Sequence, residues 1–210
     1  YKLYRHFVAD TDEQLTPDQK VVILRLGKEL IDQRYAIAPV LKMLFKSRHF
    51  YDDEIIGNQI KSPAQLVVGT ARVLGAPVTD LRLLAEAMNM MGQRLFDPPS
   101  VAGWAGGRSW INTSTLFTRQ NTAAYQITGK LPYDDGWTRD QATYDPMAML
   151  EHLPTRTSEA VVDHLLAVLL GDAVHPSRRD QLVAFMNERR TGVTLALLLL
   201  ITAMPEYQLC

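Results

Sequence analysis

The sequence predicts an all-α fold, a multi-helix orthogonal bundle, on three observations. Thr16-Pro17-Asp18-Gln19 and Ser62-Pro63-Ala64-Gln65 each set a hydroxyl before a proline, with a glutamine two residues further on. This is a proline-reinforced capping box, in which side chains satisfy amides that a helix start leaves unpaired. Apolar residues between these signals recur at three- and four-residue steps. Runs of Val, Ile and Thr in strict alternation are missing, so no strand is predicted.

Taken in order, the pattern predicts helices near 17–34, 37–47, 62–75, 79–93, 113–127, 158–171, 176–190 and 193–204. Val22, Leu26, Leu30 and Ile31 form the first apolar stripe, and Leu66, Val67, Thr70, Val73 and Leu74 the second. Leu81, Leu84, Ala85, Met88 and Met91 form a third. Leu165, Leu166, Leu169 and Leu170 form a fourth, behind a cap at Ser158. His175-Pro176 reads as a weaker helix start. Met88, Met90 and Met91 read as core filling. The apolar run 195–204 falls short of the roughly 20 residues that span a bilayer, so it reads as a buried core helix. Two irregular stretches interrupt the helices. One, 94–112, is dense in Gly, Pro and Trp; the other, 129–157, is long enough to wrap the surface and holds a short helix around 146–152.

An internal echo points to duplication of a helical unit. Near each end a helix leads to a proline-initiated helix, then an apolar helix, then an aromatic, Phe50 in one case and Tyr207 in the other. The alternative is that two helical hairpins look alike at this level.

Length and charge bound the function. At 210 residues the chain reads as a single helical domain, 1–210, able to bury a sizeable core. Lys+Arg of 22 against Asp+Glu of 23 gives a net charge of −1, without the basic face that nucleic-acid binding needs. The single cysteine, Cys210, makes an intrachain disulfide impossible. The residues given hold no signal peptide and no membrane span, and the opening in mid-pattern reads as a fragment or processed form.

The stretch 94–112 has its own physical logic. Pro98 and Pro99 stiffen the exit from the helix before it. Gly103, Gly106 and Gly107 permit backbone that other residues resist. Trp104 and Trp110 offer large apolar faces with one N–H each. Asn112 or Thr113 caps a helix carrying Leu116, Phe117 and Arg119. Three readings stay open: tryptophans plugging a helical core, an anion site at the helix start assisted by Arg108, or a stacking platform for sugar rings. The expected outcome is mixed. Trp104, held between the prolines and Gly106-Gly107, is the buried anchor, and Trp110 lies partly exposed at a groove beside Arg108.

Residues 91–119, MGQRLFDPPSVAGWAGGRSWINTSTLFTR, together with KSPAQLVVGTARVLG, LFKSRHFYDD and AMPEYQ, carry a resemblance that spans nearly the whole chain. The sequence resembles the bacterial domain-of-unknown-function family 1800. Its run of Met91, Gly92, Gln93, Leu95, Phe96, Pro98, Pro99, Val101, Gly103, Trp104, Gly106, Gly107, Trp110, Ile111, Asn112 and Arg119 follows the family's pattern. Gln65, where an acid is usual, and Arg94 depart from it. Members typically run to about double this length, so the resemblance implies a C-terminal half. It also implies a periplasmic or secreted location and a partner that is another exported bacterial protein. It carries no activity across.

Catalytic patterns are scarce. His6, His49, His152, His164 and His175 form no paired-ligand spacing, and no Gly-x-Ser-x-Gly elbow is present. His164 reads as a helix residue, diverging from its neighbour Asp163. Asp134, Asp135, Asp140 and Asp145 form an acidic loop without calcium-loop spacing. Arg178, Arg179, Arg189 and Arg190 read as a solvated helix face. No metal, cofactor or catalytic residue is called for. The expected function is a non-catalytic binding or assembly module of the cell envelope. The alternatives are a hydrolase-like enzyme with groups elsewhere in a longer protein, or carbohydrate binding through the Trp loop.

Overall fold

The computed structural model describes residues 1–9, 15–75, 80–133, 136–139, 144–171, 174–188 and 192–210. The chain is all-α. Its helices are α1 (Lys2–Phe7), α2 (Pro17–Asp32), α3 (Ile37–Phe45), α4 (Pro63–Leu74), α5 (Leu81–Met90), α6 (Thr113–Thr128), α7 (Ser158–Leu170), α8 (Pro176–Asn187) and α9 (Val193–Ala203). Short 3-10 helices occupy Arg48–Tyr51, Gly107–Trp110, Pro146–Leu150 and Pro205–Gln208.

The capping chemistry sets these starts. Gln19 N donates to Thr16 Oγ1 at 3.2 Å, and Thr16 N donates to Gln19 Oε1 at 3.0 Å. Ser62 and Gln65 repeat the exchange at 3.2 and 2.8 Å. Gln65 therefore fills, as an acceptor, the place an acid would fill. Helix α7 corrects the expectation of a Ser158 cap: Thr157 takes the Ala160 amide, and Ser158 is already the first helical residue. The weaker start at His175 is present, with Nδ1 accepting from Ser177 N at 3.3 Å.

One local prediction fails. Residues Lys130–Tyr133 (β1) and Gly136–Arg139 (β2) pair antiparallel, with Lys130 opposite Arg139 and Tyr133 opposite Gly136. Gly136 is itself a paired strand residue opposite Tyr133, so the Asp135-Gly136 step is not the central pair of a tight turn, and four-residue strands are too short for alternation to signal them. The short helix expected around 146–152 is the 3-10 helix Pro146–Leu150, with Asp145 Oδ1 accepting from Met147 N at 3.0 Å.

The chain divides into two units, residues 1–60 with 209–210, and 61–208. The first holds α1, α2 and α3 around Tyr4, Val8, Leu26, Val40, Leu44 and Ile55. Its terminal residues are stitched by Gln59 and Cys210, whose backbones exchange hydrogen bonds at 3.3 and 2.8 Å. Tyr4 is fully buried, with its hydroxyl 2.7 Å from His49 Nε2. The second unit is a bundle around α6, which packs on α4, α5 and α9, while α7, α8 and α9 pack on one another. Leu197, Leu198 and Ile201 of α9 are wholly buried in one core with Leu165, Leu166 and Leu169 of α7. The run 195–204 is thus a core helix, as predicted.

Exposure corrects four members of the apolar stripes, Ile31, Val73, Leu81 and Ala85, and one of the methionine cluster, Met90. Ile31, Leu81 and Met90 are 63, 73 and 63 % exposed, because each falls off the face its helix buries. The order helix, proline-initiated helix, apolar helix, 3-10 turn occurs in α1–α3 with Arg48–Tyr51 and again in α7–α9 with Pro205–Gln208.

Candidate functional site

The segment between α5 and α6 is built from a turn, a projecting arm and a return. Helix α5 is capped by Met91, which is buried, and Gly92 takes φ 91°, a left-handed backbone that suits glycine. Gln93 then reaches across to α4, where its Oε1 accepts from Ala64 N at 2.8 Å. Met91-Gly92-Gln93 therefore ends one helix and supplies a first-turn acceptor to another.

From Arg94 the chain runs out to solvent. Arg94 pairs with Asp97 at 3.3 Å, with both side chains largely exposed. Phe96 is 98 % exposed at φ 63°, and Leu95 and Val101 are exposed too. Phenylalanine in the left-handed region is strained, because its Cβ crowds the following carbonyl. Pro98 and Pro99 are exposed as well. They therefore do not wrap a tryptophan, as expected, but stiffen an arm.

The return is anchored. Ser100 closes a turn onto Ala102 and Gly103, and Trp104 follows half-buried. Gly106 and Gly107 take φ 80° and 56°, starting the 3-10 helix Gly107–Trp110. Trp110 is buried at 6 % exposure. Its carbonyl accepts from Thr115 Oγ1 at 2.9 Å, and its ring lies against Gly92. The mixed outcome expected of the two tryptophans is found, with the roles exchanged. Trp110 is the anchor because it is tied to the start of α6, whereas Trp104 stays half-buried where the chain returns from the arm.

Asn112 caps α6, and the cap closes on itself: Thr115 N donates to Asn112 Oδ1 and Asn112 N to Thr115 Oγ1, both at 2.9 Å. The third first-turn amide is thus committed within the chain. Arg108 is exposed beside this start.

Arg119 separates from the loop altogether. It is wholly buried, its Nε donating to Gln208 Oε1 and its Nη2 to Lys61 O, both at 2.7 Å. Burial lowers its pKa from 12.5 to about 10, so it remains a cation at neutral pH. Thr115, Arg119, Thr122 and Gln126, spaced four, three and four residues, all lie buried, while Phe117 is 65 % exposed. Helix α6 therefore buries a polar stripe beside Ala123, Tyr125 and Ile127, which are buried as well, and leaves Phe117 outward. Reading only the apolar positions misses this; the four-three-four spacing of the polar residues was the signal available.

The remaining candidates fall elsewhere. His164 Nε2 is 2.9 Å from Met149 O, and Asp163 turns away to take both Nε and Nη2 of Arg179 at 2.6 and 2.7 Å. That bond holds the Asp163 carboxyl below its usual range. Arg178 pairs with Glu206, so this half of the arginine cluster makes ion pairs between elements. Asp134, Asp135, Asp140, Arg189 and Arg190 lie outside the described residues. Among the described residues no group of three or more His, Cys, Asp or Glu is placed to hold a metal, and no helix is long and apolar enough to cross a membrane. A cavity of about 420 Å³ opens between Tyr144 and Thr194, lined by none of the loop residues.

Neither the curated proteins nor the solved structures give a match to the chain. A family model matches residues 1–209, essentially the whole sequence, and the chain belongs to the family described as Protein of unknown function (DUF1800).

Proposed function

We propose that this chain is a non-catalytic binding module of the bacterial cell envelope, docking another exported protein through the arm at 95–101. The observation that carries the reading is Phe96. A large aromatic that is 98 % exposed, on backbone strained at φ 63°, costs stability and gains no internal contact. Leu95 and Val101 on the same arm are apolar and exposed, and apolar surface grouped this way marks an interaction site more often than single scattered residues do. Pro98 and Pro99 restrict the arm before binding, which reduces the ordering cost of association. The envelope location and the exported partner rest on the family resemblance.

The test is capture from the native host, with the protein as the host makes it, wild type against the Phe96→Ser/Val101→Ser double variant. The expected result is one partner retained by wild type and lost by the variant, at equal melting temperatures. Equal capture by both overturns the docking reading. A second reading, carbohydrate binding, is favoured by the half-buried Trp104, which leaves part of an indole accessible. Trp104→Ala abolishes polysaccharide binding on that reading and leaves partner capture intact.

A further inference from the structure

Nearly half of the exposed large apolar side chains among the described residues lie in residues 1–60, under a third of the chain. Three of them stand in register on one helix: Val21, Leu24 and Ile31 of α2 are 49, 72 and 63 % exposed. With Lys28, also exposed, they are spaced three, four and three residues, so they line one edge of the helix. At about 100° per residue, Lys20, Val21, Leu24, Lys28 and Ile31 share roughly 100° of outward arc, opposite Leu26 and Leu30 on the core side. That arc holds two cations and no acid. Asp18, Arg25 and Asp32 fall on its flank, and Glu29 is half-buried behind it, accepting from Gln33 Nε2 at 2.9 Å. Just past the helix Tyr35 takes φ 65° and is 71 % exposed, its amide bonded to Leu30 O at 2.7 Å. A tyrosine on left-handed backbone, where glycine would be unstrained, costs stability while its ring stays in solvent.

We infer that the outer face of α2 docks on an anionic lipid surface, lying in the headgroup plane with Val21, Leu24 and Ile31 turned to the acyl chains and Lys20 and Lys28 to the phosphates. The placing of the lysines selects this occupant. A lysine within an apolar face lays its stem along the apolar surface and extends its ammonium to a phosphate. A second copy of the chain fits poorly, because two such faces set Lys28 against Lys28 when parallel and against Leu24 when antiparallel. A helix of another protein would enclose Lys28 within the seam, where an unmatched charge is costly, whereas a bilayer leaves it at the wet boundary. The contact is superficial: α2 lies on the membrane, and no helix among the described residues is long and apolar enough to cross one. It is independent of the arm at 95–101.

The experiment is flotation of the whole chain with vesicles of phosphatidylglycerol and phosphatidylcholine in equal parts, against vesicles of phosphatidylcholine alone. Wild type is expected to float with the anionic vesicles, to stay behind with the neutral ones, and to be released as salt rises. Leu24→Ser/Ile31→Ser and Lys20→Gln/Lys28→Gln are each expected to weaken binding by about tenfold or more. All four positions are exposed, so melting temperatures close to wild type accompany the loss. Phe96→Ser/Val101→Ser is expected to bind as wild type does. Wild type that ignores anionic vesicles or binds both compositions alike overturns the proposal. Undiminished binding by either α2 variant overturns it as well, and so does loss of binding in Phe96→Ser/Val101→Ser. A wild-type dimer on size-exclusion chromatography that Leu24→Ser/Ile31→Ser breaks, without vesicle binding, assigns the face to a second copy and overturns it too.

Discussion

The ring of Trp110 lies over the backbone of Gly92, its Cζ3 3.9 Å from the point where a β-carbon on that glycine would sit. Two residues eighteen positions apart thus close the base of the Gly-Trp segment. The space above Gly92 admits a methyl group in ordinary contact; the φ of 91° does not suit one. Gly92→Ala is accordingly expected to cost about 1 kcal/mol or more, through the backbone rather than through a clash. Urea denaturation checks this, and an unchanged midpoint contradicts it.

The two tryptophans separate in stability. Trp110→Ala is expected to cost about 3–5 kcal/mol, the range for deleting a buried large aromatic. Trp104→Ala, at a half-buried position, is expected to cost clearly less. Chemical denaturation of both variants gives the comparison, and equal losses would return the loop to a purely structural role.

Phe96 gives a prediction of opposite sign. Glycine at this position removes the left-handed strain but adds freedom to the unfolded chain. Phe96→Gly is expected to leave stability unchanged or raise it by up to about 1 kcal/mol, while weakening partner capture. A loss of more than about 1 kcal/mol, the size of an ordinary contact-removing substitution, would mean that Phe96 makes internal contacts.

Within α9, Leu198 is wholly buried and Leu200 is 42 % exposed. Leu198→Ala is expected to cost roughly 2–5 kcal/mol, whereas Leu200→Ala stays within about 0.5 kcal/mol, as surface changes do. Melting of the two variants side by side checks the facing of this helix.

Tyr4 makes stability depend on alkaline pH. Burial raises its pKa from 10.0 to about 12, with a hydrogen bond from Gln19 acting weakly the other way. The folded state therefore holds a proton that the unfolded state releases first. Its contribution is complete below pH 10 and is lost as pH rises through about 12. Tyr4→Phe is expected to flatten the fall in stability over that interval, measured by urea unfolding at stepped pH. An equally steep fall in the variant contradicts it.

How far the sequence could be read follows from what each signal encodes. Capping is local, so Thr16, Ser62 and Asn112 announce their helices within a few residues, and the observed starts agree. The hairpin at Lys130–Tyr133 and Gly136–Arg139 has strands too short for alternation to register. The choice between Trp104 and Trp110 depends on Gly92, far away in the chain, and no spacing rule reaches it. Arg119 was visible as a family position but not as a buried one, because periodicity follows apolar residues and α6 buries a polar stripe beside its apolar residues. The reading of 1–210 as one domain is a proposal beside the two units, and calorimetry of the whole chain tests it: one transition supports it, two contradict it.

The Gly-Trp segment is anchored at Trp110, and the proposal is that its arm at 95–101 meets a partner. Acrylamide quenching of variants that each retain one indole tests it most directly. A shielded Trp110 and a Trp104 that acrylamide reaches readily are expected. Equal shielding of both indoles would contradict it and leave the segment a plug in the fold.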